Sequence, residues 1–284
     1  MTLEIGVRPR GPYSLALSAR LAGDATRTFR DGVLTACIEP ESIARAWQLP
    51  DGTVRIRARS EAAAARLRWT LGLDEDHSGF LRLVRHDPLL GRAARELRGL
   101  RPIRLGSVAQ ALLRALCGQL IEAKRARSLE RRLIHGVSPA GPEGLHAPPS
   151  CADLGRSSAA GLRASGLHAR RAATLLRVCR TVELERLRGL ETAAVAARLE
   201  RERGLGPWSV GIVCLEGLGR YEYGLVGDLG LVKLLAALRG RRVEGWETAE
   251  LLEPYGEWGG IASVYLLAGY GRGLLPVEPA RRAA

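Results

Sequence analysis

Two hydrophobic periods divide the chain. From residue 1 to about 85 the pattern is mainly that of strands. Thr53-Val54-Arg55-Ile56-Arg57-Ala58-Arg59 alternates apolar and basic residues, which predicts a strand with one buried and one arginine-lined face. Asp31-Gly32 separates Thr26–Arg30 from Val33–Ile38 and predicts a tight hairpin, and a second Asp-Gly at 51–52 precedes the alternating run. Glu61 to about Leu71 is rich in Ala and Arg and predicts a helix covering the sheet, and the acidic, polar Asp74–Ser78 predicts a linker. From Asp87-Pro88 onward apolar residues recur at helical spacing. Ser107 with Gln110 three residues on starts a helix whose buried stripe is Val108, Leu112, Leu113 and Leu116, ending at Cys117-Gly118-Gln119-Leu120-Ile121. Ser138–Ser150, rich in Pro and Gly, predicts a surface loop. Gly166-Leu167-His168-Ala169-Arg170-Arg171-Ala172 sets basic side chains ahead of a helix, where they either reach a phosphate or face water.

The most informative stretch runs from Leu199 to Leu235. Thr192 can cap a helix that carries Val195 and Leu199 on one face. Gly204-Leu205-Gly206 ends that helix with two residues able to take positive φ, and Pro207 suits the first position of the next, with Trp208, Ile212 and Leu215 on one stripe. Backbone N–H groups and the positive helix end converge at such a turn and suit a phosphate oxygen, although any helical hairpin shares the pattern. The glycines follow a helix and Gly211 comes too late, so a dinucleotide fingerprint does not fit. Asp228 opens a further helix, Leu229–Arg239, with Leu231, Leu234, Leu235 and Leu238 on its apolar side. Trp258-Gly259-Gly260 precedes a last apolar helix, Ile261–Leu267, and the tail after Gly271 is expected to be loose.

A length of 284 residues and 46% hydrophobic residues favour two domains with a large core. The net charge of +13 supports a polyanionic partner such as nucleic acid without proving it, since the only lysines are Lys124 and Lys233 and an arginine-rich codon bias is the other source of such a charge. Five cysteines (37, 117, 151, 179, 214) without a C-x-x-C pair read as reduced thiols, and five scattered histidines give no zinc-ligand spacing, so no metal site is expected. No apolar run of about 18 residues occurs, and the expectation is a soluble cytoplasmic protein, nucleoid-associated if prokaryotic.

Leu205-Gly206-Pro207-Trp208 and Gly227-Asp228-Leu229-Gly230-Leu231, at their spacing, resemble the helix–hairpin–helix DNA glycosylases, most of all the 3-methyladenine glycosylase II branch. The resemblance implies a small antiparallel α+β domain over residues 1–85 and an all-α glycosylase domain over 86–284, with two helical lobes around a cleft and a mostly α chain overall. It also implies roles. Asp228 becomes the catalytic carboxylate that stabilises an oxocarbenium-like sugar, a role compatible with capping its helix. Trp208 and Trp258 become base-pocket residues. Gln119 and Leu120 supply the wedge pushed into the duplex, although a leucine at a helix end is more often core. Gly204, Leu205, Gly206, Trp208 and Ser209 hold phosphate. The partner implied is double-stranded DNA with a damaged base, bound by a monomer. No cofactor is required: no cysteine follows Cys214, so the iron–sulfur cluster of some relatives is not expected, and the hairpin carbonyls are a candidate seat for a monovalent cation. Members that also cut the backbone use a lysine where this chain has Trp208, which implies a monofunctional enzyme. Two departures stand out. A frequent second aromatic is Ile212 here, and Tyr13 lies out of register with the N-terminal pocket aromatic. The implied substrate is an alkylated purine; glycosylases for oxidised or deaminated bases, and a non-catalytic DNA-binding module, are the alternatives.

Overall fold

The computed structural model describes residues 2–20 and 22–277. Strands β1 (Leu3–Val7), β2 (Arg27–Arg30), β3 (Val33–Glu39), β4 (Ser42–Gln48) and β5 (Val54–Ala58) form one antiparallel sheet in the order β1-β5-β4-β3-β2. The period-two reading holds: Val54, Ile56 and Ala58 are buried, while Arg55 and Arg57 face outward and pair with Glu4. Helices α1 (Leu15–Ala19) and α2 (Glu61–Thr70) cover the apolar face, and Ile103 reaches back into this core.

The helical part comprises α3 (Ser78–Leu83), α4 (Gly91–Glu96), α5 (Val108–Gly118), α6 (Ala123–Val137), α7 (Cys151–Gly155), α8 (Ala159–Ala164), α9 (Ala169–Thr181), α10 (Thr192–Glu200), α11 (Pro207–Ile212), α12 (Leu229–Arg239), α13 (Thr248–Leu252) and α14 (Gly259–Gly271). Its apolar residues separate into two cores. One gathers Leu112, Leu116, Leu133, Leu175 and Val195 from α5, α6, α9 and α10. The other gathers Phe80, Ala93, Leu231, Leu234, Tyr265 and Leu266 from α3, α4, α12 and α14. α11 and the π-helical turn after it, Val213–Leu218, serve both: Val210 and Val213 face the first, Ile212 and Leu215 the second.

Several local expectations change. Ser107 caps α5 by accepting from Gln110 N (3.0 Å), but the Gln110 side chain accepts from Gly106 N, so the reciprocal half of a capping box is missing. Glu191 rather than Thr192 is the N-cap of α10. Leu238 is exposed and leaves the apolar stripe of α12 to Leu231, Leu234 and Leu235. The Ser138–Ser150 loop buries Leu145 and Ala147 against Cys37 and Ile43, because Ala140 and His146 bridge and fold it back. Of the tail, Leu275 is buried, so the chain beyond Gly271 is packed there; residues 278–284 lie outside the described residues. Among the described residues no helix is long and apolar enough to cross a membrane.

The segment read as a linker, Asp74–Ser78, carries a fully buried side chain, His77. Its Nδ1 accepts from Arg101 Nε (3.2 Å), and its Nε2 lies 3.3 Å from Tyr265 Oη. Burial first, then the Arg101 charge, push its pKa down to about 4. A histidine kept neutral in the fold but free to protonate when unfolded contributes stability above its ordinary pKa of about 6.5. That contribution is lost as pH falls from about 6.5 towards 4. We expect an acid loss of about 2–3 kcal/mol from this residue alone, read as the pH-dependent part of urea stability that His77→Gln removes. Equal pH profiles for the two proteins would contradict it.

Candidate active site

The hairpin forms as its residues dictate, with one economy. Gly204 takes φ +94°, where a side chain would be strained and would collide with Thr174 Oγ1 at 2.6 Å. Gly206 stays in the extended region at φ −97° and is the N-cap of α11. The first intrahelical bond of α11 runs from Val210 N to Gly206 O, so the N–H groups of Trp208 and Ser209 stand ahead of it at the positive helix end. The Arg203 carbonyl accepts from Thr174 Oγ1 (3.3 Å) and from Arg177, and the Gly204 carbonyl from Gln119 Nε2 (2.8 Å). Donors of the chain itself thus reach both of these carbonyls.

Gln119 bridges the end of α5 to the hairpin, since its Nε2 also donates to Ser209 Oγ (3.0 Å). Leu120 follows with φ +54° and 85% exposure. This is a left-handed conformation for a branched residue in solvent, costly to hold and without any burial to repay it. The ordinary reading of a helix-end leucine as core is therefore excluded.

Asp228 and Trp208 meet on the wall of one cleft. Asp228 Oδ1 accepts from Gly230 N (2.7 Å) and Leu231 N (3.4 Å) and caps α12, while Oδ2 accepts from Trp208 Nε1 (2.9 Å). The two oxygens therefore divide capping from a cleft contact, and the cleft-side oxygen is held by the indole. Gly118 allows this arrangement: a Cβ there would stand 2.5 Å from Trp208 Cη2.

The cleft has a volume of about 830 Å³ and is lined by Gln119, Leu120, Trp208, Ser209, Ile212, Val226, Asp228, Leu229, Lys233, Trp246 and Leu267, with Arg114, Arg127, Glu130 and Glu216 at its charged side. Its size falls within the range of about 300–1,000 Å³ usual for ligand sites. Trp258 is not among its walls. It packs on Phe80 and Gly79 and lines a separate cavity with Trp69, Glu75 and Arg104. The aromatic that faces the cleft with Trp208 is Trp246, 68% exposed. Thr248 holds it there: Thr248 Oγ1 accepts from Gly227 N (2.8 Å), next to Asp228, and donates to Gly245 O (2.7 Å). The sequence signal for Trp246 was only a tryptophan amid polar residues.

The charged side of the cleft was not foreseen. Arg114 binds three carboxylates at once: Asp24 (2.7 Å), Glu130 (3.0 Å) and Glu216 (2.6 Å). Burial works against the charge of Asp24 and Glu216, but Arg27 and Arg114 beside Asp24, and Arg114 and Arg127 beside Glu216, outweigh it and hold both below the ordinary range. Burial prevails at Glu130 and pushes it up. Arg127 Nη1 is buried near these groups without a hydrogen bond.

A five-stranded antiparallel sheet with two helical cores, a glycine hairpin opening α11 and an aspartate opening α12 compose a fold that this chain shares with solved DNA glycosylases. The 3-methyladenine DNA glycosylase of Archaeoglobus fulgidus superposes with a TM-score of 0.81 at 18% identity over 95% of this chain and 98% of its own. The 8-oxoguanine glycosylase/lyase of Clostridium acetobutylicum, in complex with double-stranded DNA containing cytosine opposite 8-oxoguanine, superposes with a TM-score of 0.78 at 15% identity over 96% and 98%. In sequence, the chain is 27% identical over 204 residues to the DNA-3-methyladenine glycosylase of Bacillus subtilis, covering 68% of this chain and 67% of that one. No protein-family model matches the chain. The resemblance to DNA glycosylases read from Leu199–Leu235 is thus borne out, for 3-methyladenine and 8-oxoguanine enzymes alike.

Proposed function

We propose that this chain is a monomeric DNA glycosylase that hydrolyses the N-glycosidic bond of alkylated purines flipped from duplex DNA and leaves the backbone intact. The observation that carries the reading is the Asp228–Trp208 pair in the cleft: a carboxylate oxygen 2.9 Å from an indole N–H, fixed at a helix start. As base and sugar part, positive charge builds on the sugar, and a nearby carboxylate stabilises it. The Asp228 cap fixes that carboxylate before substrate arrives, so its reorganisation cost is small. The faces of Trp208 and Trp246 flank the cavity a flipped base would enter, and an electron-rich ring attracts a cationic alkylpurine by about 0.5–2 kcal/mol. An alkylated purine already carries positive charge and a weakened bond, so no strong acid is needed at the leaving group. Two of the three relatives named above are 3-methyladenine glycosylases. No step runs through a metal or cofactor.

One observation favours a second reading. Lys233 lines the same cleft, five residues beyond Asp228, and an amine there offers the nucleophile for a combined glycosylase and lyase. Trp208 itself cannot form an imine.

The substrate test is single-turnover release from duplexes carrying one 7-methylguanine, 3-methyladenine, 8-oxoguanine, hypoxanthine or uracil. The expected order places the alkylpurines first; efficient 8-oxoguanine release without action on 7-methylguanine would overturn the substrate class. The same duplexes test the wedge. Leu120→Ala should weaken binding to abasic and lesion duplexes about tenfold while altering ordinary duplex binding little, because an inserted side chain acts only where a base has left. All duplex binding should fall steeply with salt. Equal weakening on every duplex would contradict the wedge.

A further inference from the structure

Three carboxylates and three guanidinium groups gather at the cleft floor, and the third guanidinium, that of Arg127, is in none of their salt bridges. Asp24, Glu130 and Glu216 share two guanidinium groups, Arg114 and the Arg27 that pairs with Asp24 at 3.4 Å. Asp24 and Glu130 are almost wholly buried, with side chains 3% and 1% exposed, whereas that of Glu216 is 19% exposed and lines the cavity. A single π-helical turn, Val213–Leu218, puts it there, and such insertions recur at functional sites. Ile212 stands one turn earlier on the same wall.

We propose that Glu216 is a specificity-determining residue, whose carboxylate on the cleft floor gives a cationic purine its counter-charge and accepts its N–H edge. The inference rests on the glycosylase reading and sharpens it. One oxygen, Oε2, is committed to Arg114 Nη1 at 2.6 Å, which fixes the side chain. Arg114 also keeps the carboxylate ionised despite its burial. An ionised carboxylate only accepts hydrogen bonds, so it meets the N–H groups of a purine edge and repels a carbonyl presented alone. Arg127 sets the opposing sign. Its guanidinium lies beside Glu216 and Glu130, with Nη1 buried and unpaired, and lowers the floor's attraction for a cation. Selection for a cationic base is then a balance between these two residues, in addition to the aromatic faces.

A hydrogen bond to a charged group is worth about ten- to a hundredfold in binding. Quenching of tryptophan fluorescence should report tighter binding of 7-methylguanosine than of inosine by the wild-type protein. Glu216→Gln should lower that preference about tenfold or more, with inosine affected less than threefold. Glu216→Asp, which keeps the charge, should restore most of it, and Arg127→Gln should raise it. Arg127→Gln leaves the Arg114 network in place, so the test survives if Glu216→Gln fails to fold. An unchanged preference in folded Glu216→Gln, or in Arg127→Gln, overturns the proposal, as does no preference in the wild type. The glycosylase reading fails separately: a preference that responds to Glu216, with no base released from any lesion duplex, would keep this binding role and remove the catalytic one.

Discussion

Asp228→Asn is expected to slow single-turnover base release by about 10²–10³-fold, the usual cost of removing one preorganised electrostatic group from a transition state. Folding should be nearly untouched. Asparagine caps helices about as well as aspartate, so the bonds to Gly230 N and Leu231 N can persist. Its amide oxygen serves either the cap or Trp208 Nε1, and what disappears entirely is the negative charge. Duplex binding should stay within a few-fold of wild type. A wild-type rate in this variant would remove Asp228 from the chemistry, and a collapse of thermal stability would make it a cap alone.

Arg114→Met should cost about 3–5 kcal/mol of stability, because it strands buried carboxylates that no longer have their counter-ion. Asp24, Glu130 and Glu216 come from the segment before β2, from α6 and from the π turn after α11, so one guanidinium ties three distant parts of the chain together. The pH dependence carries the signature. Asp24 and Glu216 have depressed pKa values, so their pairing contributes stability above the ordinary carboxylate range and loses it as pH falls through the lowered values. Without Arg114 those depressions shrink, since only Arg27 beside Asp24 and Arg127 beside Glu216 then oppose burial, and protonation relieves the stranded charge. The stability gap between variant and wild type should therefore narrow from pH 7 towards pH 4 in urea titrations. A gap under about 1 kcal/mol at pH 7 would show that the network is dispensable.

The sequence made the local elements legible because periodicity and capping act over a few residues. The Asp31-Gly32 hairpin, the alternating β5, the Ser107 cap and the Gly204–Pro207 turn all form where the residue types put them. The place of Asp228 at a helix start was also readable, from the helical run that follows it, whereas the exposure of Leu120 was expected only through resemblance. Trp258 was misplaced for a physical reason: sequence distance from the last helix does not say which lobe face a side chain meets, and this one turns to Phe80. Trp246 and Glu216 were invisible for the converse reason. Trp246 reaches the cleft through Thr248 bonds that join distant segments, and Glu216 through a π turn that shifts helical phase by one residue. Arg114, one arginine in a helix rich in leucine and alanine, gave no sign that its three partners were elsewhere.

Product analysis on a duplex carrying one 7-methylguanine tests the central reading most directly. The protein is incubated with that duplex, free base is quantified, and the strand is examined before alkali, after alkali and after borohydride. The expected result is stoichiometric release of 7-methylguanine, a strand that breaks only after alkali, and no borohydride-trapped adduct in wild type or in Lys233→Gln. Release with a nick before alkali and a trapped adduct lost in Lys233→Gln would contradict the monofunctional mechanism, and no release at all would contradict the function.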